Sequence, residues 1–280
     1  LTGGEPLLRR DLTELVARIA SIQAITDLAL TTNGTHLAEH ASRLRSAGLG
    51  RVTISLDTLR ADRHHRLTRR DNHGTVLAGI DATLAAGFEN TKINAVVMRG
   101  VNDDELVDLI RFGAEHRAEV RFIEYMDVGG ATRWDPAVVV GAAEILERVG
   151  RELGHPEPAP SPPSAPARRF TTPDGHCFGI VASTSTPFCS SCDRSRLTAD
   201  GLWYHCLYAA EGIDLGSVAR RELPVDASVG VDPLVERIRS AWERRADQGA
   251  VDRLAMDNRE PTPVRILRAD PHREMHTRGG

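Results

Sequence analysis

Three of the four cysteines in this chain fall within residues 187–207, PFCSSCDRSRLTADGLWYHCL. Two residues separate Cys189 from Cys192, and thirteen separate Cys192 from Cys206. A C-x-x-C loop points both sulfurs the same way, so two thiolates can reach one metal or one cluster edge. Asp200-Gly201 is a hairpin signal with β-type residues on either side, and a hairpin there carries Cys206 back beside the first pair. Three thiolates are one short of a closed tetrahedral zinc site. They suit an iron–sulfur cluster with one iron left open for a small ligand. A structural zinc site that borrows His205 or His176 is the plainer reading of the same spacing.

A second group of polar residues lies upstream: Thr31, Thr32, Asn33, Ser55, Asp57, Glu124 and Met126. Each falls at the end of a stretch that reads as a β-strand. The elements that must position them alternate. Helical spacing over residues 11–22, with Asp11 as N-cap, precedes a strand over 28–31 and a helix over 36–47. A strand over 51–55, a helix over 75–86, a strand over 92–97, a helix over 104–115 and a strand over 120–124 follow. Strands alternating with helices of this length predict parallel βα units, in a full or partial barrel or a doubly wound sheet. Ligands of such sheets sit beyond the C-terminal strand ends. Lys92 and Asn94, two apart on one strand, share a face.

Residues 155–168 form a Pro/Ala/Ser linker, and the domain boundary is expected there. The resulting organisation is 1–154, linker, and 169–280. Beyond the linker, residues 170–181 read as a β pair around Asp174-Gly175 and residues 233–245 as a helix. The opening Leu1-Thr2-Gly3-Gly4-Glu5-Pro6 reads as the loop after a strand that has been cut off, and Gly279-Gly280 closes a polar tail.

Composition narrows the class. At 41% hydrophobic residues the chain can bury an ordinary core, and its net charge of −4 gives no reason to expect nucleic-acid binding. No apolar run approaches the roughly 20 residues a membrane span needs, and no signal peptide opens the chain. Clustered cysteines argue for metal in a reducing, cytoplasmic setting, not for a disulfide framework. Every basic side chain except Lys92 is arginine, so the lone lysine marks either an accident or a place where a compact ammonium is needed. Cys177, outside the cluster, reads as a small apolar filler.

The motifs add up. GGEP (residues 3–6), TTNG (31–34), SLD (55–57), KIN (92–94) and RFIEYM (121–126) together resemble radical S-adenosylmethionine enzymes. With FCSSCDRSRLTADG and the terminal Gly-Gly, the chain resembles the GTP 3′,8-cyclase family of molybdenum-cofactor biosynthesis over its whole length. The resemblance implies an α/β fold: an incomplete (β/α) barrel of the radical S-adenosylmethionine type, lacking its first strand. A smaller C-terminal α+β region would carry an auxiliary [4Fe-4S] cluster. It implies that Gly3, Gly4, Glu5, Ser55 and Met126 contact S-adenosylmethionine. Thr31, Lys92, Arg121, Arg194, Ser195 and Arg196 would contact GTP, with Arg194 and Arg196 on one face of a strand. Cys189, Cys192 and Cys206 would hold the auxiliary cluster, and Gly279 and Gly280 would reach into the active site. Implied partners are GTP, a reductant such as flavodoxin or ferredoxin, and a downstream cyclic pyranopterin monophosphate synthase, with a homodimer also expected.

One departure is plain. The family's primary [4Fe-4S] cluster needs a C-x-x-x-C-x-x-C loop, and none occurs in these residues. The polypeptide by itself is therefore expected to be inactive, as an N-terminally truncated member of an active enzyme type, with an exposed strand edge. Two other readings share some of these motifs. One is another auxiliary-cluster radical enzyme, which GTP binding would separate. The other is a zinc-stabilised binding protein without chemistry, which metal identity would separate.

Overall fold

The computed structural model describes residues 1–128, 133–220, 232–256 and 259–278; Gly279 and Gly280 lie outside them. The chain divides into two compact units, Leu1–Met126 with Trp134–Thr186, and Asp127–Arg133 with Pro187–Gly280.

The first unit is a mixed α/β sheet. After helix α1 (Leu12–Ala20), β1 (Ala29–Thr32) leads to α2 (Leu37–Ser46), and β2 (Arg51–Ser55) leads to α3 (Ala61–Thr68) and α4 (His73–Ala85). β3 (Thr91–Val97), α5 (Leu106–Glu115), β4 (Ala118–Glu124) and α6 (Ala142–Leu153) continue the alternation. Three further strands follow: β5 (Glu157–Ala159), β6 (Arg168–Thr171) and β7 (Cys177–Val181). The sheet order is β1-β2-β3-β4-β7-β6-β5. β1 to β4 and β7 run parallel, while β6 and β5 add antiparallel.

The residue types explain the asymmetry of this sheet. On β3 and β4 burial alternates strictly, as the two-residue strand period requires. Ile93, Ala95 and Val97 of β3, with Val120 and Phe122 of β4, join the helices' Leu37, Ile80, Leu109 and Ile110 in one core. Each fully buried Leu, Ile or Phe stabilises by about 1.5–3 kcal/mol. The other face carries Lys92, Asn94, Glu119 and Arg121, all half-buried. Parallel sheets ordinarily bury both faces and read as continuous apolar runs. A second face that carries four polar residues before Val96 and Ile123 departs from that pattern.

The predicted strands and helices stand within a few residues of their positions, and 51–55 is reproduced without shift as β2. The linker expected at 155–168 is corrected. Its residues 157–159 form β5, which pairs with β6 and so belongs to the sheet. The unit boundary falls instead after Thr186, because β6 and β7 are hydrogen-bonded into the first unit's sheet. Helices α3 and α6 were not foreseen.

The second unit holds the cysteine stretch. A short turn at Cys189–Ser191 precedes a hairpin of β8 (Arg196–Leu197) and β9 (Leu202–Tyr204), to which β10 (Ile213–Asp214) adds antiparallel. Helices α7 (Gly216–Arg220), α8 (Pro233–Glu243) and α9 (Gly249–Leu254) follow, and Trp203, Leu215 and Ala241 form its small core. The Asp200-Gly201 hairpin is where the sequence placed it. Gly201 has φ +99°, and a Cβ there would sit 2.5 Å from the backbone of Gly216, so only glycine fits. No described helix is long and apolar enough to cross a membrane.

Candidate functional site

In the first unit, strand register decides which side chains become neighbours. Lys92 lies opposite Thr53 on β2 and Glu119 on β4, and Thr53 lies opposite Thr31 on β1. The next row on the same face runs Ser55, Asn94, Arg121, Gly179 and Arg169. The expected nucleotide contacts Thr31, Lys92 and Arg121 thus stand on one sheet face. Lys92 is the second residue of β3, so this cation row lies on the face of the sheet, not beyond its C-terminal ends.

The row is densely charged. Arg121 donates from Nε to Glu119 Oε1 at 3.0 Å, and Arg169 donates from Nε to Glu119 Oε2 at 2.6 Å. Burial works against the Glu119 carboxylate, yet the two arginines hold it below the usual range. Lys92 donates to the carbonyl of Asn90 at 3.3 Å. Burial, then Arg121 and Arg51, push its ammonium down to about 8, against the pull of Glu119 and Asp27. Asn94 Oδ1 is buried without a partner among the described residues, which costs about 1–3 kcal/mol unless something bonds it. Lys92, Arg117, Glu119, Arg169, His176 and Cys177 line a cleft of about 300 Å³. Cys177 is exposed, so it is corrected from apolar filler to a cleft-lining thiol, because its place on β7 turns it away from the core.

The strand ends show which polar residues are already committed. Glu5 accepts from Thr32 Oγ1 at 2.7 Å, from the Asn33 amide at 2.8 Å and from the Leu7 amide at 3.0 Å. It ties the GGEP loop to the TTNG turn. Gly3 has φ +135°, a conformation open to glycine, and a Cβ at Gly4 would meet nothing within 4 Å. Asp57 accepts from the Val96 amide at 2.8 Å, and burial pushes its carboxyl up. Ser55 is exposed at the end of β2, and Met126 follows β4. Asn33, Ser55, Asp57, His64 and Asn72 line a second cleft of about 300 Å³. Glu124 is removed from the binding face. It is fully buried and accepts from the amides of Ala142, Thr184 and Ser185, so it anchors loops.

In the second unit, Cys189, Cys192 and Cys206 are free thiols. Cys192 Sγ accepts from Arg194 Nη2 at 3.1 Å and from Arg245 Nη2 at 3.5 Å. Burial would push this thiol up, but hydrogen bonds from the Arg194 backbone and side chain and from Arg245 lower it overall. The same Arg245 nitrogen donates at 2.9 Å to the carbonyl of His205, the residue before Cys206. One guanidinium therefore links the two ends of the cysteine stretch. A Cβ on Gly249 would stand 2.9 Å from Cys206 Sγ and 2.6 Å from Tyr208 Cβ, so only glycine leaves that sulfur its space. The three thiols are free and half-buried, and cationic donors reach the Cys192 sulfur, a setting that favours the thiolate form.

Among the described residues, no three His, Cys, Asp or Glu side chains stand close enough together to hold one metal ion, so Cys189, Cys192 and Cys206 are not gathered into a ligand set. His205 packs edge-on against Trp203 and Trp242, and His176 lies in the first unit, 3.4 Å from Asp174. Arg194 is corrected: it precedes β8, in the loop with exposed Ser195, and stacks 4.6 Å above the Phe188 ring. Arg196 opens β8, opposite Tyr204.

Sequence reasoning missed Glu119, Arg169, Arg245 and Gly249. The alternation Glu119-Val120-Arg121 was a usable signal for the first, whereas the others depend on partners far along the chain.

Residues 1–113 match the radical SAM superfamily model, and residues 118–251 match the model described as Molybdenum Cofactor Synthesis C. The Mycobacterium tuberculosis protein named GTP 3′,8-cyclase 1 is 52% identical over all of this chain and 78% of its own length. The chain belongs to the GTP 3′,8-cyclase family. The Acidothermus cellulolyticus family member is 45% identical over 99% of this chain and 77% of its own. Fold likeness extends to Streptococcus suis SuiB, with a TM-score of 0.53 at 15% identity, over 84% of this chain and 56% of that one.

Proposed function

We propose that this protein is by family a GTP 3′,8-cyclase of the first step of molybdenum-cofactor biosynthesis, and that these residues by themselves bind GTP without turning it over. The product of that step would be (8S)-3′,8-cyclo-7,8-dihydroguanosine 5′-triphosphate. The single observation that carries the reading is 52% identity to a named cyclase along the entire chain.

The chain's residues divide the work. Thr31, Lys92 and Arg121 bind the nucleotide from the sheet face, where a row of cations suits a polyphosphate. Gly3 and Gly4 bring backbone amides to the carboxylate of S-adenosylmethionine, and Glu5 holds that loop in place through Thr32 and Asn33. Ser55 and Met126 complete that contact. When bound, S-adenosylmethionine would supply, on one-electron reduction by an external donor, the radical chemistry at the ribose 3′ carbon. Cys189, Cys192 and Cys206 would hold the auxiliary [4Fe-4S] cluster, and Arg194, Ser195 and Arg196 would orient the guanine base. None of the four cysteines lies in the C-x-x-x-C-x-x-C loop that the family's primary cluster needs. The implied setting is cytoplasmic, with a flavodoxin or ferredoxin as reductant and a cyclic pyranopterin monophosphate synthase taking the product.

The test is iron, sulfide and zinc per chain on anaerobically purified protein, with equilibrium binding of GTP. About four irons with matching sulfide, and GTP binding, are the expected outcome. Zinc without sulfide, or no affinity for GTP, would overturn the reading.

A further inference from the structure

Glu119 is out of place if the sheet face only has to attract phosphate. It is the single carboxylate among the residues lining the cleft that also contains Lys92, Arg117, Arg169 and His176. A negative charge there repels a polyphosphate and weakens the field of its neighbours. Its geometry supplies the reason. Arg121 and Arg169 reach over from β4 and β6, with Gly179 of β7 between them in the row. Two guanidiniums so placed repel each other, and each long side chain has many rotamers. Glu119 takes one Nε from each, at 3.0 and 2.6 Å, with its own side chain only 15% exposed. Binding through Nε fixes each guanidinium plane and leaves the Nη edge of Arg121 for a ligand. Arg169 is further steadied by an Nη1 donation to the carbonyl of Pro160 at 3.0 Å. Gly179 clears the lane: a Cβ there would lie 3.3 Å from Arg121 Cγ and 3.2 Å from Ala167 Cβ.

We propose that Glu119 is a positioning residue that pins Arg121 and Arg169 side by side. Arg169, so held, is a further cation for the phosphates of the nucleotide. The proposal rests on the GTP reading above and adds to it a residue pair outside the motifs that suggested that reading. It also makes a prediction of opposite sign to simple electrostatics. Removing a negative charge from a phosphate site should tighten GTP if Glu119 contributes only its field. It should weaken GTP if Glu119 holds the arginines in place.

The experiment is anaerobic equilibrium binding of GTP and of guanosine to the full chain and to Glu119→Gln, Arg169→Gln and the double variant. Each single variant is expected to weaken GTP about tenfold, with guanosine affinity and iron content unchanged. The double variant should be no weaker than the worse single variant, because both remove the same arrangement. Unchanged or tighter GTP binding by Glu119→Gln overturns the positioning role. Equal loss of GTP and guanosine also overturns it, since that marks a general structural effect. Should Glu119→Gln fail to fold, Arg169→Gln decides alone, and unchanged GTP affinity there overturns the proposal. If the unaltered chain binds no GTP, the function reading falls and takes the proposal with it.

Discussion

Lys92 is the one lysine in the chain, and its surroundings weaken its hold on its proton. Burial with Arg121 and Arg51 nearby brings its ammonium to about 8, while Glu119 and Asp27 oppose that shift. A bound polyphosphate favours the charged form, so binding raises the lysine's proton affinity and takes up a proton. The affinity for GTP should therefore fall as pH rises from about 8 toward the bound-state value, by up to about tenfold per pH unit. Equilibrium binding between pH 7 and 9.5 checks this, and a flat profile would sink it. Lys92→Met should lose about tenfold or more at pH 7 and remove the slope. An arginine would keep its charge across that range, which gives a physical reason for a lysine in a chain otherwise built on arginine.

At the scale of elements, α9 and the β8–β9 hairpin set the space around the cysteines. Gly249 opens α9 and faces Cys206 Sγ and Tyr208 Cβ at distances no Cβ tolerates. Gly249→Ala is expected to displace Cys206 and to lower iron and sulfide per chain. Gly4→Ala, whose Cβ meets nothing within 4 Å, should leave iron content unchanged. Metal analysis of the two variants side by side decides it, and equal iron in both would mean that Cys206 does not depend on α9. The hairpin itself was legible, because Asp200-Gly201 is a local signal. The partnership of Gly249 with Cys206 was not, because more than forty residues separate them.

For the whole molecule, the division into units turns on a short excursion of the chain. After β4 the backbone joins the second unit for Asp127–Arg133 and then returns. Asp127 is buried there, accepting from Tyr208 Oη at 3.0 Å, from Arg253 Nε at 2.8 Å and from Arg259 Nη2 at 3.1 Å. Burial opposes its charge, and the two arginines outweigh burial. Asp127→Asn strands those two cations and is expected to destabilise the second unit by about 3 kcal/mol. Hydrogen exchange should show protection lost in α8 and α9 and retained in β3 and β4. Loss spread evenly over both units would contradict this division of the chain.

The sequence by itself determined the alternation of strands and helices, the hairpin, the three-cysteine stretch and the family. Each of these rests on periodicity or on spacing within a short window, where local sterics and hydrophobic patterning act. Tertiary structure alone decided the rest. Residues 157–159 became a strand because β6 offered hydrogen bonds. Glu124 became an anchor because burial demanded three amide donors. Glu119 met Arg169 across fifty residues because strand register, set by the packing of a whole sheet, chooses neighbours that no local window contains.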